Sequence, residues 1–181
     1  MGRIEGPNFV KLFCGIITSG QDYTDKALAE LENKFGSIDF TSKMVSFDNF
    51  SDYYNPEMGN GLTRFWVSFE KLISAADIAP VKIWANSVED SLSDGRKRKI
   101  NIDPGYITPA NIILATTKDF SHRIYIKDGI YGEVTTIYQK NGFVKLPWSY
   151  PDYMSETAAD FLLQARSKLL IQLKEIKTEK K

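Results

Sequence analysis

The sequence contains a single cysteine and a single histidine, and this scarcity excludes several kinds of site. One cysteine, Cys14, cannot form a disulfide within the chain or a thiolate metal cluster. One histidine, His122, excludes the H-E-x-x-H motif and zinc sites built from several histidines. Cys14 lies in an apolar run, so we expect a small buried hydrophobic residue. A lone thiol is also typical of a reducing cytoplasm.

The chain has no excess of charge and no long hydrophobic run. Lys+Arg and Asp+Glu both number 23, so the net charge is zero with His neutral. Nucleic-acid affinity depends strongly on phosphate neutralisation by Lys and Arg, and the overall charge does not favour it. No apolar run approaches the ~20 residues that span a bilayer, and no signal-peptide pattern is present. We therefore expect a cytoplasmic protein with no membrane partner.

Three nucleotide-binding or hydrolase motifs are also missing. There is no G-x-x-x-x-G-K-[ST] phosphate loop, and the Gly59-Asn60-Gly61 run lacks the lysine that would reach phosphates. No G-x-G-x-x-G follows a strand, and no G-x-S-x-G elbow is present. The sequence thus gives no support to a P-loop, a Rossmann dinucleotide site or an α/β-hydrolase.

The apolar patterns predict an α+β fold with a largely antiparallel sheet. The first six predicted elements are a strand at 10–18, a helix capped by Asp22 or Thr24 and ended by Gly36, strands at 38–47 and 62–72, a helix from Asp77, and a strand at 99–102. This order matches the βαββαβ start of ferredoxin-like folds. Asp103-Pro104-Gly105 is expected to stop the last of these strands.

The second half of the chain predicts a β-meander and a final helix. Thr108-Pro109 is expected to open a helix that buries Ile112–Ala115. Strands at 122–127, 130–138 and 143–146 are separated by Asp128-Gly129 and Asn141-Gly142, which are hairpin signals. Ser155 can cap the last helix. We expect one domain over residues 8–176, with flexible ends at 1–7 and 177–181.

Four blocks of sequence carry a resemblance to a known family. They are DYYNPEMG at 52–59, NIDPGY at 101–106, TTKDFSHRIYIKDGIYGEVT at 116–135 and PWSYPDY at 147–153. With these blocks in this order, the chain resembles the uncharacterised bacterial domain-of-unknown-function family 4416 over roughly residues 8–175. The resemblance implies a cytoplasmic bacterial or archaeal protein. It implies no activity and no cofactor.

The strongest candidate site combines the histidine with polar residues between positions 101 and 133. A histidine exchanges protons near neutral pH, and a neighbouring carboxylate such as Asp119 can orient its ring. Arginine and lysine can hold an anionic substrate. The predicted catalytic residues are His122, Asp103 and Glu133. The predicted ligand-binding residues are Asn101, Arg123, Lys118, Tyr54, Glu57 and Tyr106. Two carboxylates and a histidine can also hold a divalent metal, but their spacing matches no metal motif, so no metal site is predicted.

Each of these features has a structural alternative. If 122–127 is a strand, His122 shares a face with Ile124 and Ile126 and can be a buried, hydrogen-bonded core residue. Asp103-Pro104-Gly105 can be only a turn. The aromatic loop at 53–59 is typical of a binding loop, and equally of a cover that packs on an open sheet face.

We therefore predict a protein that binds a small anionic ligand, a nucleotide or phosphate ester, under the 53–59 loop. In an enzyme, His122 would be the general acid or base, and Arg123 or Lys118 the anion clamp. The alternative is a non-catalytic protein- or RNA-interaction module that uses an open sheet face and its aromatic residues. The chain lacks the sequence motif of RNA-recognition modules, which argues against the RNA-binding form of this alternative. Trp66 and several tyrosines can leave apolar surface exposed, which would also allow a homodimer.

Overall fold

A computed structural model describes residues 9–95 and 97–179 and contains one nine-stranded sheet. The strands are β1 Phe9–Thr18, β2 Ile38–Thr41, β3 Val45–Ser46, β4 Thr63–Ser74, β5 Ile100–Ile107, β6 Asn111–Thr116, β7 Ile124–Lys127, β8 Ile130–Gln139 and β9 Gly142–Lys145. Their order is β2-β4-β1-β5-β6-β8-β7, with β3 also paired to β4 and β9 to β8. Every pairing is antiparallel, which confirms the predicted α+β class with an antiparallel sheet.

Four helices accompany the sheet in the described part of the chain. They are α1 Gln21–Phe35, α2 Asn55–Met58, α3 Ile78–Ser91 and α4 Glu156–Glu179. The predicted cap of α1 is wrong, because the helix begins at Gln21 behind Gly20 with no side-chain cap. Its predicted end is confirmed: Gly36 has a φ of 90° and donates its N–H to the Glu32 carbonyl. Pro80 lies in the first turn of α3, where its missing N–H costs nothing.

The two faces of the sheet bury two different sets of residues. Alternation along the strands turns Cys14 and Phe65 toward α1 and α3, where they join one core. It turns Phe13 and Trp66 toward α4, where they pack with Phe161 in a second core. Each fully buried side chain of this size contributes about 1.5–3 kcal/mol. Both faces are therefore covered over much of their area.

The prediction for β5 and β6 is wrong in two places. β5 does not stop at Asp103-Pro104-Gly105 but continues to Ile107, paired with β1 along its whole length. Pro104 is tolerated because its missing N–H points to the β6 side, and the β5–β6 ladder begins only at Gly105. The predicted helix after Thr108 is strand β6. The Thr108 hydroxyl accepts the N–H groups of Ala110 and Asn111 in a tight turn between the two strands.

Smaller differences concern the bounds of other elements. The predicted 38–47 strand is interrupted into β2 and β3, and the predicted 122–127 strand begins at Ile124. The β7–β8 turn lies at Asp128-Gly129 as predicted, with φ values of 51° and 79°. The next turn lies at 140–141, one residue earlier than predicted.

The ends of the chain were both predicted to be flexible. α4 continues through 177–179, which that prediction had placed in the flexible C-terminal end. The predicted flexible end at 1–7 lies outside the described residues. None of the helices in the described ranges is both long and apolar enough to cross a membrane.

Candidate functional site

The sheet has an opening between β5 and β6. These strands pair only through residues 105–107 and 112–114, so the first half of β5 has no strand on that side within the described ranges. Two buried side chains of α3 take its place. The Lys82 ammonium donates to the Ile102 carbonyl at 2.9 Å, and the Glu89 carboxylate accepts the Ile102 N–H at 2.7 Å. They satisfy the backbone groups that a paired strand would otherwise satisfy.

A cavity of about 530 Å³ lies at this opening. It is bounded by the sheet, by residues 150–153 and by residues 47–58, which we call the cover segment. Its volume is within the range of small-molecule sites. Phe47 and Met58 of the cover segment pack against Ile17 and Leu62 in a small third core, so this segment is anchored as well as lining the cavity.

Six of the nine predicted site residues line the cavity. They are Asn101, Asp103, Lys118, Arg123, Glu133 and Tyr54. β5 supplies the first two and β8 supplies Glu133, all on the sheet face that also carries α4. The connection from β6 to β7 supplies Lys118 and Arg123, and the cover segment supplies Tyr54. Residues distant in sequence therefore meet because two strands, the β6–β7 connection and the cover segment converge here.

His122, Glu57 and Tyr106, the other three, do not line this cavity. The imidazole of His122 stacks between Phe120 and Trp148, with ring centroids at 6.1 and 5.1 Å. Its Nε2 lies 3.1 Å from Glu133 Oε2, so it reaches the cavity only through that carboxylate. Glu57 lines a smaller adjoining cavity of about 410 Å³. Tyr106 lies on the opposite face of the sheet, against the α1 and α3 core.

Glu133 is the centre of one hydrogen-bonded group. Its side chain is 1% exposed and accepts the Nε–H of Arg123 at 2.9 Å. The Arg123 guanidinium also donates to the Lys118 carbonyl at 3.0 Å and to the Tyr150 hydroxyl at 2.7 Å. Burial, together with the Glu133 charge, raises the pKa of Tyr150. Arg123 is therefore held in one orientation by three partners.

Arg98 is the centre of a second group, which the sequence analysis did not anticipate. It donates to both oxygens of Glu57 at 2.6 Å, to Glu89 at 3.1 Å and to the Asn101 side chain at 2.9 Å. Its hydrogen bonds lower the pKa of Glu57. Burial raises the pKa of Glu89, against the opposing charges of Lys82 and Arg98. Arg98 thus ties the cover segment to α3 and β5.

Arg64 and Tyr153 form the floor of the cavity and were also missed. The Arg64 side chain is 1% exposed and stacks on Trp66 and Tyr153, at 4.6 and 5.1 Å from the ring centroids. Its Nη2 lies 2.8 Å from Asp152, and its Nη1 lies 3.8 Å from Asp103. The burial of Arg64 could have been predicted from the alternation of β4, because it places Arg64 on the same face as the large apolar Trp66.

The charges that line the cavity nearly balance. The cations are Arg64, Lys82, Arg98, Lys118 and Arg123, and the anions are Glu89, Asp103, Glu133 and Asp152. Asp103 is the most accessible of the four carboxylates, and Asn101 donates to it at 2.8 Å. No group of three or more His, Cys, Asp or Glu residues within 9–95 and 97–179 has the arrangement of a metal site.

Comparison with known proteins identifies the family to which the chain belongs. The family described as Domain of unknown function (DUF4416) matches residues 8–169. No curated protein matches the chain, and no solved structure does. The family match confirms the resemblance carried by the four sequence blocks. Because it spans most of the 181 residues, the chain belongs to the DUF4416 family.

Proposed function

We propose that the cavity binds a small anionic ligand with a flat ring, a nucleotide or another phosphate ester being the expected class. The observation that carries this proposal is a set of arginines held rigidly by buried carboxylates beside an aromatic wall. Arg64 and Arg123 have side chains 1% and 4% exposed, and each is oriented by a buried acid. Arginines fixed in this way bind oxyanions without losing side-chain freedom on binding.

The aromatic wall supports the second part of the proposal. Phe50, Tyr53 and Tyr54 of the cover segment line one side of the cavity, and Phe120 and Tyr150 line another. Tyr53 is 63% exposed and Phe120 is 55% exposed. Large rings displayed at the mouth of a polar cavity are well suited to stacking on a nucleobase or a similar ring. The ring of a ligand would lie at the mouth and its charged group deeper.

The cover segment is held over the cavity by two polar contacts. The Lys118 ammonium donates to the Tyr53 hydroxyl at 3.0 Å and lies 4.9 Å from the centre of its ring. Glu57 is held by Arg98, as described above. The contact between Lys118 and Tyr53 is surface-exposed and therefore weak enough to break and re-form during ligand exchange, whereas the Arg98–Glu57 pair is partly buried and bidentate.

The test is calorimetric titration of the purified protein with a panel of nucleotides, sugar phosphates and inorganic phosphate. The Lys118→Met variant removes an exposed cation of the cavity, and we expect it to weaken binding about three- to tenfold. Lys127→Met removes an exposed lysine that does not line the cavity, and it should bind as the unaltered protein does. Binding of no panel member, or equal loss in both variants, would refute the proposal.

If the protein is an enzyme, Asp103 or Glu133 would exchange a proton with the bound ligand. His122 would then act through Glu133, since Glu133 lies between it and the cavity. His122→Gln should preserve ligand binding and lower turnover, because it keeps a polar side chain beside Glu133 but cannot exchange protons near neutral pH. A variant with unchanged turnover would remove His122 from the mechanism.

A second candidate function, an interaction module, is favoured by the outer edge of the sheet. β7 is an edge strand, and Ile124 and Tyr125 on it are 75% and 58% exposed. Such an edge can pair with another chain. Arg123 does not contribute to this surface, since its side chain points into the cavity. Ile124→Lys with Tyr125→Lys should abolish any self-association seen by analytical ultracentrifugation and leave nucleotide binding unchanged.

Two further expectations remain proposals. The order β2-β4-β1-β5, all antiparallel, with α1 and α3 on one face, supports the ferredoxin-like interpretation of the first six elements. A single buried cysteine supports a cytoplasmic location, which fractionation of the host cell would test.

A further inference from the structure

We propose that Arg64 and Tyr153 form an oxyanion site at the floor of the cavity, and that this site accepts ligands with one negative charge. The inference rests on the proposed function and makes it more specific. It places the anionic group of the ligand at the floor of the cavity. It also specifies the ligand class as monoanions, such as phosphodiesters and carboxylates, that carry a flat ring.

The first step is the presence of unpaired donors at the floor. Within the described part of the chain, Nε and Nη1 of Arg64 and the hydroxyl of Tyr153 are buried without a hydrogen-bond partner. Buried polar groups in proteins are almost always paired, so several orphans in one place indicate a missing partner.

The second step is that these groups are donors, so the missing partner is an acceptor. A guanidinium has no acceptor atom. Burial raises the pKa of Tyr153, against the lowering effect of the Arg64 charge, and keeps its hydroxyl able to donate. Arg64 and Tyr153 both line the cavity. The oxygens of a carboxylate or phosphate would meet this requirement.

The third step is that the backbone makes room for this arrangement. A Cβ added at Gly15 would lie 2.7 Å from Arg64 Nη2, 2.9 Å from its Nη1 and 2.8 Å from the Tyr153 hydroxyl. No other residue type could occupy this position without displacing both groups. Asp152 holds Nη2 of the same guanidinium at 2.8 Å. The donors are therefore fixed before any ligand arrives, which favours tight binding.

The fourth step is the charge balance. The five cations of the cavity are matched by its four carboxylates together with Glu57, which pairs with Arg98, so the cavity has no surplus of positive charge. Arg98, Arg123 and Lys118 already have hydrogen-bond partners, and Lys82 is bonded to the Ile102 carbonyl. A cavity without surplus positive charge binds a ligand with a second negative charge less well than a monoanion. Asp103 and Asp152 stand beside Arg64 and would repel that second charge.

The experiment compares probes that differ in charge and share the same ring. Cyclic AMP and AMP have the same base and sugar, but at pH 8 the first carries one negative charge and the second carries about two. Adenosine is the neutral control, ATP is the highly charged one, and 2-naphthoate is a ring with a carboxylate in place of a phosphodiester. The same nucleotides with guanine in place of adenine test whether binding depends on the base. Binding is measured by isothermal titration calorimetry.

We expect the cyclic nucleotide or the naphthoate to bind about tenfold or more tightly than AMP and ATP. Whichever of the two binds more tightly identifies the source of the oxyanion. Tyr153→Phe should weaken that monoanion about three- to tenfold, since it removes one donor. It should change stability little, because the hydroxyl it removes donates to no group within the described residues. Tyr138→Phe makes the same change on a tyrosine that does not line the cavity, and should change nothing.

Each other result has a defined meaning. Tighter binding of AMP or ATP than of the cyclic nucleotide would overturn the single-charge inference and leave the proposed function standing. A monoanion that binds equally to the unaltered protein and to Tyr153→Phe would place the anion elsewhere in the cavity. Equal binding of adenosine, or binding of no probe, would overturn the proposed function and this inference together.

Discussion

Alanine substitution at three glycines of the sheet should destabilise the protein to three different degrees, because the space around each glycine differs. A Cβ at Gly105 would lie 2.5 Å from the Ile113 carbonyl oxygen and 2.8 Å from the Phe13 ring. That oxygen belongs to the backbone of β6 and cannot retreat without disturbing the β5–β6 ladder. At Gly15 the neighbours are the ends of side chains, Arg64 and Tyr153, which can shift. At Gly142 nothing lies within 4 Å.

The magnitudes follow from these distances. Overpacking of a buried site costs about 1–3 kcal/mol, occasionally more. We expect Gly105→Ala to lose about 3 kcal/mol or more of unfolding free energy, because backbone must move. Gly15→Ala should lose about 1–3 kcal/mol, because displacement of the guanidinium weakens its contact with Asp152. Gly142→Ala should stay within about 0.5 kcal/mol.

Urea unfolding followed by tryptophan fluorescence measures the three values, provided the dependence on urea is the same for all variants. A loss at Gly15→Ala no larger than that at Gly142→Ala would mean that Arg64 and Tyr153 do not pack over this glycine. A smaller loss at Gly105→Ala than at Gly15→Ala would contradict the close approach of β6 to β5. Calorimetry on the same proteins separates stability from binding, since Gly15→Ala alone should also weaken the anionic probe.

Three other predictions address buried charge, acidity and the thiol. Arg64→Met should lower the unfolding free energy by about 3–5 kcal/mol, because it leaves Asp152 buried and unpaired. The double variant Arg64→Met with Asp152→Asn should lose less. A double-mutant cycle by urea unfolding checks this, and additive losses of unfolding free energy would contradict it. Arg98 lowers the pKa of Glu57 below 4.5, so the stability this pair supplies is present above that pH and is lost as the pH falls through the lowered value. Glu57→Gln should therefore show a smaller fall of the urea midpoint between about pH 5 and pH 3 than the unaltered protein, and parallel curves would refute this. Burial raises the pKa of Cys14, so a thiol reagent at pH 8 should modify it only at the rate of unfolding, and rapid modification of the folded protein would be the contrary result.

Local pattern was sufficient for the elements whose residues alternate or recur regularly. β1 and β4 followed from apolar runs of strand length, and α4 followed from its single apolar face. The Asp128-Gly129 hairpin followed from a turn that needs two residues with positive φ. These features depend on neighbours within a few positions, so the information is present in the order of the residues.

The same local rules gave wrong predictions where residues with the composition of a helix start or a turn pair with another strand instead. Thr108-Pro109 has the chemistry of a helix start, but its hydroxyl closes a turn between two strands. Asp103-Pro104-Gly105 has the composition of a turn, yet β1 pairs with all three residues and makes them a strand. Tertiary pairing overrode local propensity in both cases.

For the candidate site, the sequence alone placed several of the cavity-lining polar residues in one region but did not identify the residues that organise them. Asn101, Asp103, Arg123 and Glu133 were identified from their chemical types and do line the cavity. The bond from Arg98 to Glu57 joins residues 41 positions apart, and Arg64 meets residues of the 150–153 corner. Such contacts have no local pattern, because a charged residue that is buried and paired looks the same in sequence as one exposed to water. Only the antiparallel order of the sheet, and the gap it leaves between β5 and β6, decides which of these charges are buried together.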